Sequence, residues 1–175
     1  LTGLHNRRSF NQHLDRLWRQ AQREQKTLAL LLCDVDHFKA YNDRYGHQAG
    51  DAVLQRIGAV FEANARRPLD MAVRLGGEEF ALLLYGANEH EARLRAEALR
   101  AQVQALRMEH EASDTAREVT LSVGVSCLWP TPGNDLKRLY DLYEHADRAL
   151  YEAKAFGRNQ VVRSEEHTSE LQSPS

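Results

Sequence analysis

The stretch Met71-Ala72-Val73-Arg74-Leu75-Gly76-Gly77-Glu78-Glu79-Phe80-Ala81-Leu82-Leu83-Leu84-Tyr85 joins two apolar runs through a pair of glycines and a pair of glutamates. Met71 to Leu75 reads as one short strand and Phe80 to Tyr85 as the next. Two glycines between them predict a tight hairpin, because glycine takes positive φ at no steric cost. Bare glycines also let a ligand come close to the backbone. Two carboxylates at such a tip repel one another unless a cation sits there, and a divalent metal carrying a nucleotide phosphate meets that need. A Gly-Gly hairpin with flanking glutamates is also a common surface turn, so its meaning depends on the rest of the chain.

Outward from the hairpin, helical and strand periods alternate. Asn6 to about Glu24 has helix-forming composition, with Phe10, Leu14 and Leu17 on one stripe. Leu28 to Asp34 is a continuous apolar run of the kind buried on both faces of a sheet. It ends in Asp34-Val35-Asp36. Phe38 to Tyr45 reads as a short helix closing at Gly46. Asp51 to Ala63 reads as a helix through Val53, Leu54, Ile57, Val60 and Phe61. After the hairpin come a helix from Glu89 to about Glu109 and a strand from Val119 to Leu128. Pro130, Pro132 and Gly133 mark a loop. A helix from Asp135 to Phe156 follows, capped by Gly157, and a short strand from Gln160 to Val162. Helices alternating with a mixed sheet predict an α/β (α+β) fold of the ferredoxin-like kind.

The 175 residues suffice for one domain with its own core. A formal charge of -2 gives no general reason to expect nucleic acid as a partner. Cys33 and Cys127 both lie inside apolar runs and read as buried small hydrophobes rather than a disulfide or metal pair. The eight histidines show no ligand spacing. Leu28 to Cys33 is far too short to span a bilayer, and no signal peptide precedes it. A reducing, soluble compartment is expected. The tail from Ser164 to Ser175 has a single leucine and no usable period, so disorder is expected there. It resembles translated adapter sequence, and Arg163 reads as part of the same scar. The domain is therefore expected to span 1–162, with 163–175 an artefactual tail.

Several residues are candidates for chemistry. Asp34 and Asp36 stand where a rigid strand ends, a usual place for metal ligands, although an acidic turn or helix cap fits them equally. A neighbouring strand would bring Glu78 and Glu79 to the same edge. The amides of His37, Phe38 and Lys39 open a short helix and suit a phosphate tail. Lys154 and Arg158 lie four residues apart near the end of the long helix, where they also complement its dipole. Asn42 and Asp51 suit the edge of guanine, since a carboxylate accepts from its N1–H and amino group. Asp51 also fits a plain N-cap.

With these residues in hand, the chain resembles the GGDEF domain, the diguanylate cyclase family, from Leu1 to about Val162. The matching motifs are Leu1-Thr2-Gly3-Leu4 with Asn6-Arg7-Arg8, then Asp34-Val35-Asp36-His37-Phe38-Lys39 with Asn42. Next come Gly46-His47, Gly50-Asp51 and Gly76-Gly77-Glu78-Glu79-Phe80. Leu121-Ser122-Val123-Gly124-Val125, Ala149-Leu150-Tyr151-Glu152-Ala153-Lys154 and Gly157-Arg158-Asn159 complete the set.

The resemblance implies a fold like the palm of nucleotide polymerases and class III nucleotide cyclases. It implies that two GTP molecules condense into cyclic di-GMP with release of two pyrophosphates, across a homodimer in which each subunit holds one GTP. It also implies Mg²⁺ or Mn²⁺, two per active site. By the same route Asp34, Glu78 and the Val35 carbonyl hold metal, and Glu79 is the second signature acid. Asn42 and Asp51 read guanine, and Gly77 admits the ribose and phosphate. Lys39, Lys154, Arg158 and the amides of His37 and Phe38 hold the triphosphate. Arg67-Pro68-Leu69-Asp70 matches the family's inhibitory product site, with Arg100 as a third member. The family's aspartate just before Leu1-Thr2 is not in this sequence, so an upstream sensory domain would lie outside the fragment. The catalytic domain is expected in the cytoplasm, whatever anchors the full-length protein.

Two other readings stay open. One is a GGDEF-like module that binds GTP or cyclic di-GMP without turnover. Intact Gly76, Gly77, Glu78, Glu79 and Phe80 argue against it. The other is a cyclase accepting ATP, against which Asp51 argues.

Overall fold

The computed structural model describes residues 4–130 and 136–165. The Leu1-Thr2-Gly3 motif, the Pro132-Gly133 loop and most of the tail lie outside the described residues. The elements are α1 (Arg7–Glu24), β1 (Leu28–Val35), α2 (Phe38–Tyr45), α3 (His47–Asn64), β2 (Met71–Gly76), β3 (Glu79–Tyr85), α4 (Glu89–Ala105), β4 (Leu121–Leu128), α5 (Leu136–Ala155) and β5 (Val161–Arg163). This is the element order read from the sequence.

One five-stranded sheet runs in the order β2-β3-β1-β4-β5. β1 is central and antiparallel to both β3 and β4, while β5 joins β4 in parallel. The first four strands with their crossovers form the ferredoxin-like arrangement, and β5 makes the sheet mixed.

Every residue of β1 is buried because helices cover both faces of the sheet. Strand side chains alternate between faces. Ala29, Leu31, Cys33 and Val35 pack with Val53, Ile57 and Phe61 of α3 and Ala96, Leu99 and Val103 of α4. Leu28, Leu30 and Leu32 pack with Phe10, Leu14 and Trp18 of α1 and Leu142, Ala146 and Leu150 of α5. Asp34 continues the second set, so its carboxylate belongs to the face that α5 covers. Both cysteines are free and buried.

Several boundaries differ from the sequence reading. α3 begins at His47, with Gly46 at its cap, so Asp51 lies inside the helix and is not its N-cap. α4 ends at Ala105, and Arg107 turns left-handed at φ 54°. The segment to Thr120 instead folds back on itself, with His110 donating to Arg117 O at 2.7 Å and Val119 to Met108 O at 2.8 Å. Arg163 belongs to β5 and pairs with Glu89. The Ser164 amide donates to Val125 O at 2.7 Å. The sheet therefore continues past Val162 and includes Arg163.

Candidate active site

The hairpin turns on Gly77 and Glu78, one residue later than the paired glycines suggest, because Gly76 still belongs to β2 and Glu79 opens β3. Gly76 and Gly77 take φ of 153° and 50° with open space where a Cβ would stand. Backbone conformation, not crowding, demands glycine there. The Arg74 guanidinium braces the loop, with Nε and Nη2 donating to Gly77 O at 3.1 and 2.9 Å.

This tip is fastened to the end of β1. Asp34 and Glu79 face each other in the β1–β3 register, and the Val35 amide donates to Glu78 O at 3.2 Å. Asp34, Glu78 and Glu79 therefore share one edge of the sheet. Asp34 is buried, and its Oδ1 has no hydrogen-bond partner among the described residues. Its Oδ2 accepts from Lys154 Nζ, which α5 delivers from the far end of the chain. Burial pushes the Asp34 carboxyl above its ordinary range; Lys154 offsets part of this, and the charges of Glu78 and Glu79 add to it. An orphaned carboxylate oxygen beside two further acids fits a divalent cation. Among the described residues no group of three His, Cys, Asp or Glu side chains converges. Any cation held here would therefore take few carboxylates from this chain, with substrate oxygens and water completing the shell, as Mg²⁺ tolerates.

Asp36 is a different case. It is buried, and its carboxylate accepts from Thr120 Oγ1 at 2.8 Å, Ser122 Oγ at 2.6 Å and the Asn159 amide at 3.0 Å. These bonds saturate it as an internal anchor, so it is not an open metal ligand. Spacing alone could not separate Asp36 from Asp34. A hydroxyl at Ser122 within an apolar strand was the available signal.

His37 stands at the cap of α2 with φ 53° and no side-chain cap bond. Its carbonyl hydrogen-bonds the buried His110 ring at 3.0 Å, and its own ring meets Thr115 Oγ1 at 2.9 Å. The first amides of α2 have no intrahelical partners. Phe38 is buried beneath them, and Lys39 is exposed. Asn42 Oδ1 is buried without a partner among the described residues. It lies directly over Gly50, where a Cβ would collide with it and stand 3.1 Å from Phe38 Cζ. Gly50 clears the space that Asn42 occupies, and Asp51 follows it, exposed.

The family model for the diguanylate cyclase GGDEF domain matches residues 1–160. This chain belongs to the GGDEF family. It is 37% identical over 160 residues to the diguanylate cyclase DgcS of Shewanella oneidensis, covering 91% of this chain and 50% of DgcS. The GGDEF domain of DgcB from Caulobacter crescentus, solved with c-di-GMP, superposes with a TM-score of 0.82 at 33% identity, covering 94% of this chain and 93% of that one. The active GGEEF domain of a diguanylate cyclase from Vibrio cholerae gives 0.78 at 31% identity, covering 93% and 98%. The chain spans half or less of the length of the curated relatives DgcS, diguanylate cyclase A of Treponema denticola and DgcT of Escherichia coli. The palm-like cyclase fold expected from the motifs is the fold observed.

The three residues expected at a product site are not all brought together in this GGDEF domain. Arg67 and Asp70 meet in one turn, where the Arg67 amide donates to Asp70 Oδ2 at 3.1 Å. The Asp70 side chain is only 1% exposed and also pairs with Arg95 at 3.7 Å. Its Oδ1 accepts from the Tyr85 amide at 3.3 Å. Asp70 therefore builds the turn. The Arg67 guanidinium is exposed, with an ion pair to Glu91 at 3.4 Å. Arg100 bonds elsewhere, to Glu97, Gln104 and Asn159. Among the described residues no helix is long and apolar enough to cross a membrane.

Proposed function

We propose that this chain is the catalytic domain of a diguanylate cyclase. The observation that carries the reading is the fastening of the Gly77–Glu78 turn to β1 at Asp34. Two protomers, each holding one GTP, would face each other. The 3′-hydroxyl oxygen of each nucleotide attacks the α-phosphorus of the other and loses its proton. The bond from that phosphorus to pyrophosphate breaks. Asp34, Glu78 and the Val35 carbonyl would hold Mg²⁺ or Mn²⁺, two ions per site, which supplies charge neutralisation for in-line phosphoryl transfer. Lys39, Lys154, Arg158 and the amides of His37 and Phe38 hold the triphosphate, so positioning supplies much of the rate. In this reading Lys154 leaves Asp34 for phosphate when metal and substrate arrive. Asn42 and Asp51 select guanine, with Gly77 admitting the ribose. The domain works in the cytoplasm, under an input domain outside this fragment.

The test is a single assay of the purified protein with GTP or ATP and Mg²⁺ or Mn²⁺, read by chromatography. Cyclic di-GMP from GTP alone is expected. GTP binding without turnover would favour a non-catalytic module, and equal use of ATP would remove Asn42 and Asp51 as guanine readers.

We also infer product feedback through Arg67. Its pair with Glu91 is exposed and contributes little to stability. Arg67→Ala is expected to melt like the parent while the cyclic di-GMP concentration for half inhibition rises about tenfold, the loss of a charge-assisted contact. An inhibition curve unchanged from the parent's would remove Arg67 from the site.

A further inference from the structure

Arg158 and Asn159, just after α5, take φ of 63° and 45°. Consecutive left-handed residues other than glycine are unfavourable and need support from their surroundings. Here the support is explicit. The Asn159 amide donates to the buried Asp36 carboxylate at 3.0 Å. The Asn159 side chain accepts from Arg100 Nη1 at 2.8 Å and donates to Gln104 Oε1 at 3.3 Å. Arg100 is itself held, with its Nη1 donating to Gln104 Oε1 at 2.9 Å and its Nε to Glu97 Oε1 at 3.0 Å. Gln104 Nε2 donates to Glu118 Oε1 at 2.9 Å. The Arg100 side chain at the centre of the brace is 17% exposed, while its Glu97 partner stands in solvent.

The brace connects three places. Asp36 lies two residues beyond Asp34. The turn it holds carries Arg158, and Arg100 reaches that turn from α4. We propose that Arg100 is a positioning residue for the triphosphate end of the substrate, acting through Asn159 on the turn that aims Arg158. Asp36 anchors the other side of the same turn. The inference rests on the cyclase reading, in which Arg158 meets phosphate. It places Arg100 with the substrate site rather than with Arg67.

The test compares Arg100→Ala, Asn159→Gly and Arg158→Ala, with KM for GTP and the competitive Ki of GMP as readouts. Glycine at 159 keeps the left-handed turn accessible while deleting the side-chain anchor. Either brace variant is expected to raise KM for GTP about fivefold, the scale of one lost charge-assisted hydrogen bond. The Ki of GMP should not move, because GMP has no β- or γ-phosphate. In an Arg158→Ala background the brace variants should change KM by less than about twofold, since both losses act through one group. A merely structural role would weaken GMP equally and multiply with Arg158→Ala; either result overturns the inference. So does an unchanged KM with lost product inhibition in Arg100→Ala, which returns Arg100 to the product site. If the parent protein neither turns over nor binds GTP, the cyclase reading fails and this inference with it. An active parent with independent losses sinks the inference alone.

Discussion

Glu78→Gln should reduce cyclic di-GMP formation by at least about a thousandfold, the scale on which loss of a metal ligand or charge-stabilising group acts in phosphoryl transfer. The substitution is nearly isosteric and removes only the charge. Glu78 contributes to the fold through its backbone, by the carbonyl that accepts from the Val35 amide. Glutamine keeps that carbonyl, and its conformational demands in the turn are the same. Stability should therefore change by less than about 0.5 kcal/mol, as for a surface substitution that breaks no network. Glu79→Gln serves as a comparison. Glu79 shares a long, exposed 4.0 Å pair with Arg7, which contributes little. Product yield and a thermal melt on the same preparations check both statements. A folded Glu78→Gln protein with the parent's turnover would refute the metal assignment.

What was legible in the sequence follows a physical division. Long periodic segments announced themselves. The apolar run of β1 could only be a strand covered on both faces, and the stripes of α1 and α5 could only be helices lying on it. The element order and the palm-like sheet follow from those. Local chemistry at element ends was less legible. The paired glycines suggested the turn, but it falls one residue later, where Arg74 grips the Gly77 carbonyl, and no spacing rule encodes a guanidinium brace. The start of α3 was hidden because Gly50 is a weak helix former; its presence there reflects the Asn42 side chain above it.

Charged side chains divide in the same way. Asp34 and Asp36 look alike in sequence, yet one ends orphaned at Oδ1 and the other saturated. The difference lies in whether β4 and the turn after α5 bring hydroxyls and amides to them. Lys154 was expected at the triphosphate or as a helix-dipole partner, and the fold brings it from the last helix to Asp34. Arg100 matched a family position, and its observed partners lie at the Asn159 turn instead. Such long-range pairings emerge only when the sheet has brought distant segments into register.

Gly124→Ala should be the most damaging single methyl in the domain. β4 and α5 pack closely at this point. A Cβ on Gly124 would overlap Ala146 O and Leu150 N and stand 2.8 Å from Leu150 Cα. All three are backbone atoms of one helix, so no rotamer can relieve the clash. α5 must lift away from β4, or β4 must bend; an added methylene in a close-packed core typically costs about 1–3 kcal/mol, and a clash with backbone atoms puts this one at about 2–3 kcal/mol. For a domain of this size that corresponds to a fall in Tm of roughly 5–10 °C. The loss should also reach chemistry. Lys154 lies one turn beyond Leu150 on the same helix, and its ammonium meets Asp34. Displacing that helix by about 1 Å would misplace the cation proposed to hold the triphosphate, an error on a scale that costs about a hundredfold. Ser126→Ala separates the two effects. It deletes the Ser126 Oγ bond to Leu142 O at 2.5 Å and lowers stability by about 1 kcal/mol without forcing α5 outward. Below both melting transitions, Gly124→Ala should therefore have much lower kcat/KM than Ser126→Ala. Equal activity in the two folded variants would mean that the depth of α5 against the sheet does not set the position of Lys154.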